Sequence, residues 1–222
     1  MLFIGAKAFG ICTGLTDIHI PDSVEFIGEG AFSSCRALQH IRLSQNSNCV
    51  IEDGAFESAN IAELTIPGGI QTIPRSCFAN CYNLKRVTII DGVKRISYAA
   101  FDNCRKLSDI EIPPSVEAIE GMVFRYLIDS LKLKVTIHGV PGSEAERYAK
   151  SNQFPFVPTS PQSGNSTAET GGGAAGASGK QDKTKPVSAS PSASGSPMPA
   201  AAANQYEQRV TELKKRYAGK PV

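Results

Sequence analysis

Six cysteines and the histidines His19 and His40 are the side chains here best suited to hold a metal, form a covalent bond or move a proton. Cys12, Cys35, Cys81 and Cys104 each stand three residues after a phenylalanine, while Ala59 fills the equivalent place between the second and third of them. If the chain returns to the same place once per period, such thiols form one column. In a parallel stack they would lie about 4.8 Å apart and point the same way, whereas a disulfide needs Cβ atoms about 3.8 Å apart and converging. The gap at Ala59 also keeps the four thiols from surrounding one zinc ion. They read as buried structural thiols that pack as small apolar groups. Cys77 takes the alanine position that precedes a repeated phenylalanine and reads the same way. Cys49, in the inserted stretch 44–49, is the thiol to test for reactivity, against the plainer reading of an inert loop cysteine.

On the same period Asp17, His19 and His40 fall on adjacent coils, close enough to cluster. No fourth ligand, nucleophile motif or concave pocket accompanies them, and the two histidines read as surface residues. A phosphate-cradling glycine loop, a Cys-x-x-Cys pair and paired buried carboxylates are also missing from the sequence. The expectation is therefore a protein with no catalytic residue, no metal and no cofactor.

The elements that must position these residues follow from internal repetition. Phe9, Phe32, Phe56, Phe78, Phe101 and Phe124 recur at intervals of 23, 24, 22, 23 and 23 residues. Nine residues after the first Phe begin two apolar columns with a constant step of 23: Ile18, Ile41, Leu64, Val87, Ile110, Leu133, and Ile20, Leu43, Ile66, Ile89, Ile112, Val135. A third column, Leu15, Leu38, Ile61, Leu84 and Leu107, fails only at Ser130. The uneven Phe spacing is an extra residue near Cys49 cancelled by a missing one before Ile61. Fixed register with period-2 alternation is the mark of stacked strands, since a one-residue slip would turn the apolar set outward. One short parallel strand per coil is predicted, around 16–20, 39–43, 62–66, 85–89, 108–112 and 131–137. Opposite it a Val-x-x-Ile segment (Val24 and Ile27, Val93 and Ile96, Val116 and Ile119) leads into a helical or 3₁₀ turn carrying the Phe. Each coil is too small to bury its own apolar face, so neighbours supply the stability.

The unit Ile-Pro-x-x-Val-x-x-Ile-x-x-x-Ala-Phe-x-x-Cys-x-x-Leu-x-x-Ile-x-Ile, matched nearly throughout by residues 20–38, resembles the BspA-like, treponemal-type bacterial leucine-rich repeat. The resemblance runs over residues 4–157 and implies a repeat solenoid of the leucine-rich-repeat type, with a parallel β-sheet on one face and short turns on the other. The solenoid is placed at residues 1–157, with about six repeats and a C-terminal cap at 138–157 that closes the last edge. Ser143 with Glu146 reads as a capping box for a helix in that cap. Residues 158–203 are rich in Ser, Ala, Gly and Pro and read as a disordered linker. Within 204–222, Tyr206, Val210, Leu213 and Tyr217 fall on one face of a short helix, which either docks on the solenoid or a partner or is only nascent alone.

Positive and negative charges, 23 Lys and Arg against 21 Asp and Glu, are interspersed, which argues against nucleic acid as a partner and against an anionic membrane surface. No stretch reaches the roughly 18 apolar residues of a membrane span, and the N-terminus lacks the pattern of a signal peptide. The outward strand positions Asp17, His40, Glu63, Arg86, Asp109 and Lys132, beside His19, Arg42, Thr65, Thr88, Glu111 and Lys134, form the candidate protein-binding face. What the resemblance implies is an interaction module that binds a host or surface protein, as in surface-displayed or secreted relatives. The alternative is an intracellular or periplasmic scaffold that self-associates through its uncapped N-terminal coil, which light scattering across concentration would separate.

Overall fold

The computed structural model describes residues 2–124, 135–160 and 200–218 of the 222-residue chain. Lys132, Lys134 and the segment read as a linker lie outside the described residues, apart from its first and last few. Two sets of short parallel strands run along a stack of coils, one set on the front and one on the back. On the front lie β2 (Asp17–His19), β4 (His40–Arg42), β6 (Glu63–Ile66), β8 (Arg86–Ile89), β10 (Asp109–Ile112), β12 (Thr136–Gly139) and β13 (Phe156–Pro158). On the back lie β1 (Leu2–Ile4), β3 (Val24–Ile27), β5 (Val50–Ile51), β7 (Thr72–Ile73), β9 (Arg95–Ile96) and β11 (Ala118–Ile119). β3, β9 and β11 fall in the Val-x-x-Ile segments through which each coil was expected to turn; apart from β3 the back strands have only two or three residues, too few to show an alternation.

The front columns align as their apolar spacing requires. Ile18 pairs with Ile41, and Leu64 with Val87 and Val87 with Ile110, all pointing into the interior. One position departs from the expected step. Ile110 is opposite Ile137 and Ile112 opposite Gly139, so Leu133 and Val135 do not hold the places assigned to them. The stretch Leu133-Lys134-Val135-Thr136-Ile137 alternates throughout, and a slip by an even number of residues keeps the same face inward. Alternation alone therefore left this register undetermined.

Both ladders are interrupted at one level. The front divides into β2-β4 and β13-β12-β10-β8-β6, and the back into β1-β3-β5 and β11-β9-β7, so the break falls between the coil carrying β4 and β5 and the coil carrying β6 and β7. The former holds the inserted loop, which Asp22 organises by accepting from the Gln45 N–H at 2.7 Å while its own carbonyl accepts from Asn46 Nδ2 at 2.9 Å.

What crosses the break is the phenylalanine column. Phe9, Phe32, Phe56, Phe78, Phe101 and Phe124 stack with centroids 5.1, 5.3, 5.5, 5.7 and 6.2 Å apart, nearly parallel, and all but Phe9 are buried. Each offset ring pair contributes about 0.5–1.5 kcal/mol beyond its area burial. The backbone around each Phe is a chain of tight turns instead of the helical or 3₁₀ turn expected. Residues two before and two after the ring have positive φ, as at Gly30 and Ser34, Gly54 and Ser58, Ser76 and Asn80, and Ala99 and Asn103. These conformations are strained for non-glycine residues; they aim the intervening N–H groups at the next coil. Phe32 N donates to the Ala55 carbonyl at 2.7 Å and Phe56 N to Cys77 at 3.0 Å, and the pattern continues along the column.

The far end is closed by helix α1 (Glu144–Ser151), whose Ala145, Tyr148 and Ala149 are buried, and by β13 pairing with β12. Tyr148 and Phe154 meet the Phe124 ring edge-on, at 67° and 79°, which ends the stack. The predicted capping box does not form, because Glu146 reaches one residue past the N-cap. Glu146 accepts from the Gly142 N–H at 2.7 Å, and Ser143, at the N-cap, makes no side-chain cap hydrogen bond. A second helix, α2 (Ala200–Tyr217), lies on the outer side of the first back strands, where Leu213 and Tyr217 pack with Phe26 and Val50.

Candidate protein-binding face

Because front-strand side chains alternate, every residue flanking an inward Ile, Leu or Val is carried to the surface. Asp17 is opposite His40 and His19 opposite Arg42 on the first ladder. On the second, Glu63 is opposite Arg86 and Thr65 opposite Thr88, and Asp109 and Glu111 follow on the next strand. The last strand places Thr136 beside Asp109 and His138 beside Glu111, in the positions expected for Lys132 and Lys134. The first column thus runs acid, imidazole, acid, base, acid.

Two imidazole–carboxylate pairs form. His40 Nδ1 is 2.7 Å from Asp17 Oδ1, and both side chains are largely exposed. His138 Nε2 is 3.1 Å from Asp109 Oδ1, and the Ser108 hydroxyl donates to Asp109 Oδ2 at 2.6 Å. Hydrogen bonds from Thr16 and then His40 hold the Asp17 carboxyl below its ordinary range, and Ser108 and then His138 do so for Asp109. Asp17 and His40 come together, but no cluster of three metal-binding side chains is found among the described residues.

Where the sheet is interrupted, the face sinks into an open cleft of about 460 Å³ lined by His40, Asn60, Glu63, Asn83, Lys85 and Lys106, among others. Asn83 donates to Asn60 on the coil before, and Lys106 Nζ donates to Asn83 Oδ1 at 2.6 Å. Asn60, Asn83 and Lys106 occupy one repeat position on the corner ahead of the strands. Reading only the strand positions missed them, although their common spacing of 23 residues was available.

The thiols are accounted for by the stack. Cys35, Cys81 and Cys104 donate from Sγ to the carbonyls of Phe9, Phe56 and Phe78 on the preceding coil, at 3.0, 3.5 and 3.2 Å. They tie neighbouring coils together, a role beyond small apolar filler. Burial pushes Cys81 up to about 12 and raises Cys77 and Cys104 well above the ordinary thiol value. Cys49 is also buried and pushed up to about 12, so the loop thiol singled out for reactivity is shielded. Only Cys12 is half-exposed. In a native thiol titration with peptide mapping, Cys12 is expected to be labelled first and the other five only as the chain unfolds, because the thiolate is the reacting form. Early labelling of Cys49 would contradict this packing.

The sequence matches the model of the BspA type leucine rich repeat region in six copies over residues 3–131. Among solved structures the chain is similar to a leucine-rich repeat protein of T. pallidum, with 22% identity, 71% of this chain and 79% of that one covered, and a TM-score of 0.49. It is also similar to a leucine-rich repeat protein of Bacteroides ovatus, with 27% identity, 64% and 44% covered, and a TM-score of 0.45. A leucine rich cell surface protein of Faecalibacterium prausnitzii is 32% identical over 66% of this chain and 31% of that one, with a TM-score of 0.42. The chain thus spans less than half the length of the latter two. The comparison with curated proteins gives no match. No helix among the described residues is long and apolar enough to cross a membrane.

Proposed function

Because the chain belongs to the BspA-type leucine-rich-repeat family, we propose that it is a non-catalytic module that binds another protein, at a cell surface or secreted, through the front of its solenoid. The observation that carries this reading is the cleft at the break in a rigid sheet, bordered by columns of alternating charge. Backbone pairing fixes the spacing of those charges, so a complementary surface meets them without a large ordering cost. The face has few apolar anchors, so its charges set specificity and association rate more than affinity.

The test is capture of a surface-protein partner by the full chain and by a variant with Arg42, Glu63 and Arg86 reversed in charge. Binding is expected to fall by roughly tenfold or more, with most of the loss in the association rate at low salt. Unchanged binding to an identified partner would remove this face from the account.

A further inference from the structure

The outer side of β1, β3 and β5 is the one strand surface of the described solenoid that a separate segment of the chain covers. Phe3, Phe26 and Val50 stand in register across these strands and form an apolar strip. The carboxylates of Glu25 and Glu52 rim it, and both side chains are nearly buried. α2 answers this surface group by group. Tyr206, Val210, Leu213 and Tyr217 face the strip; Leu213 is fully buried and the Tyr217 ring stacks on Phe3 at 4.3 Å. Lys214 Nζ lies 2.6 Å from Glu52 Oε1, Arg216 Nη1 lies 3.5 Å from Glu25 Oε2, and the Tyr206 hydroxyl donates to the Ile51 carbonyl.

The complementarity resides in side chains and asks nothing of the covalent link. Residues 159–199 separate β13 from α2. At about 3.3–3.6 Å per residue, that length reaches well beyond 100 Å, several times the roughly 30 Å of stacked strands. A link of that length leaves the docking geometry of the helix to the contacts.

We infer that the outer face of β1-β3-β5 is a binding site for basic amphipathic helices, and that α2 is its tethered occupant, displaced when a partner protein offers a helix of the same chemistry. That chemistry is an aromatic and aliphatic stripe at i, i+4, i+7 and i+11 flanked by Arg and Lys. The site lies opposite the front face and stands independently of the function proposed for it.

A fluorescent peptide of residues 200–218 tests the inference by anisotropy. The full chain, its site already filled, is expected to bind it weakly. The full chain carrying Leu213→Asp, with its own helix released, is expected to bind roughly tenfold tighter or more. Raising salt from about 0.05 M to about 0.5 M should weaken binding severalfold, as screening shortens the reach of the ion pairs. Adding Glu52→Lys to the released chain should lose the peptide, and Lys214→Glu in the peptide should recover it. If Leu213→Asp impairs folding by circular dichroism, Arg209→Glu with Lys214→Glu releases the helix by setting like charges against Glu25 and Glu52, and the same ratio is read. Equal binding by released and unreleased chains, or a Glu52→Lys change without effect, would overturn the inference.

Discussion

Phe78→Ala is expected to destabilise the solenoid by about 3–5 kcal/mol, the range for removing a buried aromatic ring. The ring is 1% exposed and stacked on both sides, on Phe56 at 5.5 Å and Phe101 at 5.7 Å. Its removal opens a cavity against two neighbours at once. One side of this coil faces the interruption in both ladders, where ring stacking acts beside turn hydrogen bonds such as Phe56 N to the Cys77 carbonyl and Cys81 Sγ to the Phe56 carbonyl. Domains of this size have total stabilities of about 5–15 kcal/mol, so a loss of this size takes a large share. Phe9→Ala is the control. Phe9 is 42% exposed and stacks on one ring only, so its loss should cost about 1–2 kcal/mol at most. Urea unfolding of both variants, with the slope compared to detect any loss of two-state behaviour, decides the matter. Similar midpoints would show that the aromatic column is not a principal source of stability.

Gly68→Ala is expected to be comparably damaging, at about 3 kcal/mol, for the opposite reason. A Cβ on Gly68 would sit 1.9 Å from the Asp91 carbonyl oxygen and one on Gly92 2.6 Å from the Gly68 carbonyl oxygen, so two corners of adjacent coils close on each other's backbone. Backbone atoms cannot step aside as a side-chain end can, and forcing them apart costs at the upper end of the overpacking range, about 1–3 kcal/mol or more. Gly92 also holds φ at +115°, a region that side chains disfavour. Gly121→Ala places its Cβ in open space and should change stability by less than about 1 kcal/mol in either direction. Thermal melts of the two variants measure the contrast, and equal melting temperatures would mean that the corners are looser than they stand here.

The parts of this fold that were readable in the sequence are those where burial leaves no choice. Leu64, Val87 and Ile110 must share a column because a slip of one residue would expose all of them. The front strands, the Phe column and the outward charges followed directly from this rule. It has no hold on an even slip, which is why Ile137 and not Leu133 pairs with Ile110. It also has no hold on segments of two residues, so β9 and β11 passed as part of the turning Val-x-x-Ile segments, and β5 and β7 gave no strand signal. The division of the sheet arises from how an insertion is absorbed, through contacts such as Asp22 with Gln45, which carry no periodic signature. At the candidate face, the pair Asp17 and His40 was visible from spacing, but the cleft and its Asn60, Asn83 and Lys106 wall needed the coordinates. The stripe from Tyr206 to Tyr217 was plain as a helical face. What it covers was not, because Phe3 and Phe26 belong to no apolar column of the repeat, and only β1 and β3 present them together away from the core.

The turn column has a direction. The N–H groups of Phe9, Phe32, Phe56, Phe78 and Phe101 each donate to the coil that follows, from Phe9 to Ala31 through Phe101 to Val123. On the strand side the traffic runs the other way, with Gly28 N donating back to the Ile4 carbonyl and Lys85 N to the Ala62 carbonyl. Each coil therefore both gives and receives at each of its two faces. A unit gained or lost by duplication has to bring donors and acceptors in both senses, or it leaves backbone groups of its neighbours without partners.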